Sequence, residues 1–287
     1  MTRQQIARLK NGRLHLNDGP IDLVIACDGA PEAVERAEAA AIARFETVLD
    51  ELCVELPLLR AATGPQPKGA VARRMWAATA PFAGEVFITP MAAVAGAVAE
   101  EILTAMTDFA PLARAFVNNG GDIAFHLAAR QTYRLGLMDR PDHPSMFATA
   151  EIEASDAVRG AATSGWRGRS FSFGVADAVT VLAERASLAD AAATLIANHV
   201  DCPGSPAITR KPARDLSPDS DLGDLLVTVG VGPLNPREVE QALDRGAARA
   251  IAFIERGLAA ACALHLCGST RTIGSEHLST QELAQHA

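Results

Sequence analysis

The sequence predicts an α+β protein, an antiparallel β-sheet core flanked by helices. Two observations carry the prediction. Between residues 113 and 183, short apolar stretches recur with turn residues between them, the pattern of strands joined without crossover helices. On either side lie segments whose apolar residues fall at helical spacing. A third observation sets the packing style. The chain holds 57 alanines against 10 Phe, 2 Trp and 1 Tyr, so its helices meet through small side chains and backbones can approach closely.

Residues 12–17 and 20–27 read as strands joined at Asp18-Gly19, a hairpin-type turn signal. Pro31 then stands where a first helical residue would be, and 32–56 carries Ile42, Phe45, Val48, Leu49 and Leu52 on one face. Pro57 ends or kinks that helix. The stretch 61–69, with two Pro and two Gly, is a loop, and 70–80 is a second helix. A third covers 91–106, opened by Thr89-Pro90, with Glu100 and Glu101 midway. Strands are expected at 113–118, 122–128, 132–138, 148–154, 157–163, 170–173 and 177–183, then a helix at 188–199. The segment 203–221, rich in Pro, Ser, Asp and Arg, is expected to be a long mobile loop within a single domain spanning 1–287. A strand at 224–231 precedes a long helix over 236–266, kinked near Gly246 or Gly257.

Composition excludes several function classes. With 26 Lys and Arg against 34 Asp and Glu, the net charge is −8, which argues against nucleic-acid partners. No apolar run approaches the ~20 residues of a membrane span, and the start of the chain lacks the apolar core of a signal peptide. A cytoplasmic protein without membrane partners is expected. Five cysteines without a Cys-x-x-Cys pair suggest neither a disulfide framework nor a zinc ribbon.

Three constellations could carry chemistry. In Asn118-Asn119-Gly120-Gly121-Asp122, Asn-Gly is a turn signal, and a hairpin alone accounts for it. Paired glycines also let backbone amides approach a phosphate. Thr163-Ser164-Gly165 ends a strand with two hydroxyls and a flexible exit, which suits a ligand's polar edge or an ordinary loop. Asp190 and Thr194 lie one turn apart on a helix, where a carboxylate and a hydroxyl can serve magnesium. Ser187-x-x-Asp190 is equally a helix-capping pattern. Cys262, His265 and Cys267 are spread around a helix by their spacing, which favours a structural role. His143 could act as an acid or base but has no evident partner. Gly-x-Ser-x-Gly, Walker A and dinucleotide-binding fingerprints are all absent.

In this order, the segments resemble the ApbE-like superfamily, whose best-known members are FAD:protein FMN transferases. Gly96-Ala97-Val98-Ala99-Glu100 is similar to the family's Gly-Ala-x-Ala-Lys-Gly helix. Gly120-Gly121-Asp122 is similar to its Gly-Gly-Asn turn, and Thr163-Ser164-Gly165 to its strand end. Ala178 to Thr194 is similar to the strand and helix carrying Ala-Asp-Ala-x-Ala-Thr. Two departures stand out. Glu100-Glu101 replaces Lys-Gly, and Ser170-Phe171-Ser172-Phe173-Gly174-Val175-Ala176-Asp177 occupies the place of a His-x-x-Asp-Pro-x-Thr-Gly loop. The chain is closer still to a divergent branch of ApbE-like cytosolic proteins with Asn-Gly-Gly-Asp and Ser-Phe-Gly patterns.

The resemblance implies an ApbE-like fold and a magnesium ion held by Asp190, Thr194 and the carbonyl of Ala97. It also implies an FAD or FMN cleft lined by Gly120, Gly121, Asp122, Thr163, Ser164 and Gly165. The implied reaction is transfer of FMN to a threonine of an acceptor protein. Two other functions fit the same scaffold. One is a small-molecule enzyme or accessory factor acting on a heteroaromatic ring, with a partly apolar pocket around Phe171, Phe173 and Thr163. The other is a non-catalytic binding protein; association with a second copy of the chain is left open.

Overall fold

The computed structural model describes residues 3–139, 145–274 and 278–280, so His143 lies outside the described residues. The chain opens with β1 (Gln5–Arg8), β2 (Leu14–Asp18) and β3 (Ile21–Gly29), then α1 (Pro31–Val54), α2 (Leu56–Leu59) and α3 (Ala70–Thr79). Two 3₁₀ turns, Ala80–Phe82 and Pro90–Ala93, lead into α4 (Val94–Phe109). The strand run follows as β4 (Leu112–Asn119), β5 (Asp122–Leu127), β6 (Thr132–Met138), β7 (Met146–Glu153), β8 (Gly160–Ser164) and β9 (Ala178–Ala183). Then come α5 (Ala186–His199), β10 (Ile208–Pro212), α6 (Ala213–Leu216), β11 (Leu226–Val231), α7 (Pro236–Glu255), β12 (Ala261–Leu266), β13 (Ser269–Ile273) and β14 (Leu278–Thr280). The predicted α+β class with antiparallel pairing holds throughout the strand ladders. Among the described residues no helix is long and apolar enough to cross a membrane.

The chain divides into two compact units. Unit 1 comprises Met1–Thr132, Glu153–Ala162 and Ala183–Ala191; unit 2 comprises Tyr133–Ile152, Thr163–Leu182 and Ala192–Ala287. In unit 1, β1 to β5 form a meander, and Gly160 and Ala161 of β8 add to β5. Alternation along β2 and β3 sends Leu14, Leu16, Ile21, Leu23 and Ile25 to one face. There they meet α1 and α4 through Ala37, Ala41, Phe45, Val48, Val98 and Ile102. Pro31 is the first residue of α1, as expected, and α1 ends at Val54, just before Pro57, which sits in the first turn of the short α2.

Unit 2 holds the ladder β9-β12-β13, the three strands β14-β7-β6 and the pair β10-β11. Its strands β9 and β12 are buried along their whole length, which explains their unbroken apolar sequences. The start of α7 is fixed by a complete capping box: Asn235 accepts from the Glu238 amide at 3.0 Å, and Glu238 accepts from the Asn235 amide at 2.9 Å. Asn235→Ala is expected to lower stability by about 1 kcal/mol, read as a shifted denaturation midpoint; an unchanged midpoint would show the box to be idle.

Three expectations are corrected. Residues 170–173 do not form a strand. The Ser172 hydroxyl and the Phe173 amide both donate to Asn198 Oδ1, and a Cβ on Gly174 would lie 2.0 Å from the Ala197 carbonyl, so this loop is clamped to the end of α5. The segment 203–221, expected as a loop, carries β10 and α6, because its proline-rich sequence still pairs antiparallel with β11. The helix expected over 236–266 stops at Glu255. Gly257, at φ +70°, turns the chain, and 261–266 is β12. A six-residue apolar run has no periodicity that separates strand from helix. α7 runs on through Gly246, where a Cβ would lie 2.3 Å from Val200 Cγ2.

Candidate functional site

The Val94 amide that opens α4 donates to the Met91 carbonyl of the preceding turn, but the next amides need another acceptor, and the N-cap, Ala93, offers no side-chain acceptor. Asp190, 94 residues further along, supplies one. Its Oδ2 accepts the Gly96 amide at 3.0 Å, and the Ala95 amide also donates to this carboxylate. The reverse exchange holds the start of α5. Glu100 Oε1 accepts both the Ser187 amide at 2.7 Å and the Ser187 hydroxyl at 2.8 Å. A capping box would send the Ser187 amide to Asp190; here it goes to Glu100. Each helix is thus capped by an acid from the other.

Glycines make this exchange sterically feasible. A Cβ on Gly96 would lie 2.4 Å from the Ala186 carbonyl oxygen, and one on Gly160 would lie 2.1 Å from the Ala186 nitrogen. Asn119, only 6% exposed, donates to the Ala95 carbonyl at 3.2 Å and ties the β4–β5 hairpin to the same turn of α4. Glu101, which stands with Glu100 in place of the family's Lys-Gly, is held between Arg44 at 2.8 Å and Arg74 at 2.9 Å.

The electrostatics of Asp190 are unusual. Burial, and then the neighbouring Asp122 charge, push its carboxyl well above the ordinary range; the Gly96 and Ala95 amides pull it down, and Glu100 adds a further push. An acid raised in this way favours the folded state when protonated. Its contribution is fully present below the unfolded carboxylate value and is lost as pH rises through the folded value. The charged groups that act on it, Asp122 and Glu100, are both acids.

Gly120 (φ +67°) and Gly121 (φ +116°) form the two-residue turn of the hairpin, with Asn119 paired to Asp122. The Gly121 amide is already engaged by Asn118 Oδ1 at 2.8 Å, so the turn reading accounts for it. Ala97, Gly120, Gly121, Asp122 and Asp190 belong to unit 1, whereas Thr163, Ser164, Gly165 and Thr194 belong to unit 2. Thr163 is exposed and shares a hydrogen bond with the Thr180 hydroxyl at 2.8 Å. Gly165 is buried, where a Cβ would lie 2.4 Å from the Asp177 carbonyl.

Unit 2 also has a cavity of about 390 Å³, whose lining includes Phe147, Arg167, Asp177, His265 and Cys267. The pocket expected around Phe171, Phe173 and Thr163 is not this one, since none of the three lines it. Cys262 and His265 lie on β12, and Cys267 lies in the turn that follows, so the three do not share a helix.

Among the described residues no group of three or more His, Cys, Asp or Glu converges as a metal cage. Magnesium does not require one: it takes hard oxygen donors, commonly one or two carboxylates, with water and phosphate completing the shell. The carboxyl oxygens of Asp190, buried beside the Asp122 charge, fit that donor chemistry.

The sequence reading missed the role of Glu100, which registered only as a lost lysine. A Ser at position 187 with no acid of its own to serve it is a signal visible only in three dimensions. Asn119 was read as part of a turn and not as a brace.

The family model described as AbpE bacteria matches residues 5–272. Similar proteins include UPF0280 proteins of three archaea. That of Methanopyrus kandleri is 39% identical over 181 residues, covering 62% of this chain and 69% of the relative. That of Methanococcoides burtonii is 41% identical over 122 residues, covering 39% and 46%, and that of Methanosphaerula palustris is 40% identical over 137 residues, covering 47% and 55%. The chain thus spans about half the length of the latter two. Among solved structures, the apo form of Pseudomonas stutzeri flavinyl transferase ApbE is similar at a TM-score of 0.38 and 11% identity, over 94% of this chain and 93% of that one.

Proposed function

Since the chain belongs to the family described as AbpE bacteria, we propose that it is an ApbE-like nucleotide-binding protein that transfers FMN from FAD to an acceptor protein in the cytoplasm, with magnesium. The observation that carries the reading is the buried carboxyl of Asp190, seated on the first turn of α4 with Asp122 and Glu100 as its charged neighbours. Asp190 would hold the cation, with the Ala97 carbonyl and the Thr194 hydroxyl as the further ligands that the family resemblance implies. Bound there, magnesium would neutralise phosphate charge and render phosphorus open to attack.

The chain's own groups do the rest. The positive end of the α4 dipole favours an anion nearby. Gly120, Gly121 and Asp122 of unit 1 would line the nucleotide. The family's lysine is replaced by Glu100, whose oxygens are occupied by Ser187 and Arg74, so charge compensation for the phosphates falls on the cation and on backbone amides. The acceptor's hydroxyl would attack the FMN phosphorus of FAD, so that a phosphoester forms as the pyrophosphate bond breaks, AMP leaves and the hydroxyl proton passes to solvent; no side chain of this protein need be covalently modified.

The test is calorimetric titration of FAD and FMN with and without magnesium. FAD binding is expected to need the metal, and Asp190→Ala to abolish metal binding. Asp190→Asn is expected to lose the stabilisation that magnesium confers on the parent, read as a denaturation midpoint that no longer responds to the metal. FAD binding that ignores both magnesium and the Asp190 variants would sink the reading.

A further inference from the structure

The unit 2 cavity plays no part in the reading of Asp190, and its lining has a chemistry of its own. One wall is aromatic: the rings of Phe147 and His265 stack with centroids 4.8 Å apart and planes 29° apart. Burial pulls His265 below the ordinary histidine value, against the opposing influence of Asp177 and Asp139, so this ring is uncharged at neutral pH. Its Nδ1 is engaged with the Thr270 hydroxyl at 2.8 Å.

The charged groups of the lining are of both signs. Arg167 is fixed from behind: its Nε donates to Asp177 Oδ1 at 3.2 Å, and its guanidinium lies 4.2 Å from the Trp166 ring centroid. The second oxygen of Asp177 accepts the Cys267 amide at 2.7 Å, from the tight turn at Cys267 (φ +49°) and Gly268 (φ +79°). Among the described residues only Nε of Arg167 is bonded, which leaves the terminal nitrogens of the fork as donors. Asp139 lines the cavity too, with Oδ1 taken by the Ser145 amide at 2.8 Å.

This combination selects a ligand class. An anion would meet Arg167 but also two carboxylates, and a cation would meet the carboxylates but also Arg167. A neutral ring carrying both N–H and C=O groups satisfies both kinds of partner, its carbonyl on Arg167 and its N–H on a carboxylate, while its flat face covers the aromatic wall. A cavity of about 390 Å³ sits at the lower end of the range for small-molecule sites. We propose that this cavity binds a small neutral heteroaromatic ring with a mixed lactam edge, of the pyrimidinedione or pteridinedione kind.

The experiment is calorimetric titration at mildly acidic pH with lumazine, a neutral pteridinedione. The controls are its 1,3-dimethyl derivative, which lacks the ring N–H groups, benzoate as an anion and benzylamine as a cation. Lumazine is expected to saturate the protein and the dimethyl form to bind about tenfold more weakly, the size of one hydrogen bond to a charged group. Arg167→Gln and Phe147→Leu should each weaken lumazine about tenfold; should the first fail to fold, the second decides. The proposal is overturned if lumazine does not bind, if benzoate or benzylamine binds as tightly, if the dimethyl form is equivalent, or if a folded variant binds lumazine as the parent does. Asp190→Ala should leave lumazine binding unchanged, so the fate of the magnesium reading is scored separately.

Discussion

Gly160→Ala should destabilise the protein by about 3 kcal/mol or more, the upper end for overpacking. An alanine Cβ there would lie 2.1 Å from the Ala186 nitrogen, 2.3 Å from its Cα and 2.4 Å from the Arg185 carbonyl carbon. All three are backbone atoms, so no rotamer change relieves the clash, and the start of α5 must move. Gly96→Ala strikes the same peptide from another side, at 2.4 Å from the Ala186 oxygen and 2.7 Å from the Ser187 nitrogen. Because both substitutions displace one segment, their combined cost should fall short of the sum of the single costs. Chemical denaturation of the two single variants and the double variant measures this. A Gly160→Ala midpoint close to that of the parent would mean that α5 can shift freely, against the close approach described above.

The second large effect is expected at Glu100. Its carboxylate is 8% exposed and holds the amide and hydroxyl of Ser187, itself fully buried, with Arg74 Nη1 at 3.5 Å on the other oxygen. Glu100→Ala leaves those donors without an acceptor and should cost about 2–4 kcal/mol. Glu100→Gln keeps an acceptor oxygen and should cost about 1 kcal/mol. Glu100→Lys, which restores the residue the family pattern carries, should be the worst of the three, since it brings an ammonium group to Arg74 and to donors that need an acceptor. If Lys is tolerated as well as Gln, the acid does not serve as a cap. That ordering separates a structural carboxylate from a vestige of a phosphate-binding position.

Much of the fold was legible where one physical signal dominated. Alternation in Leu14 to Asp18 and Ile21 to Gly29, the proline at 31 and the Gly120-Gly121 hairpin all act locally, so sequence reports them directly. The strand at 261–266 was not legible, because a short, fully buried strand and a buried helical turn share the same apolar sequence. Asp190 was found through spacing and family resemblance, yet its actual bonds to Gly96 and Ala95 join positions 94 and 95 apart in the chain, beyond any local pattern. The cavity around Phe147, Arg167, Asp177 and His265 was missed for the same reason: its residues come from separate segments with no motif in common.

The exchange of acids between α4 and α5 sets an order on folding. Until residues 187–190 are in place, the Ala95 and Gly96 amides of α4 lack the Asp190 acceptor, and the start of α5 lacks the Glu100 acceptor. Neither helix end can be completed as a local event; both wait on closure of a loop of about 90 residues, which is an entropically costly and therefore late step. A ribosome that has released α4 but not α5 thus presents a helix with an unfinished end.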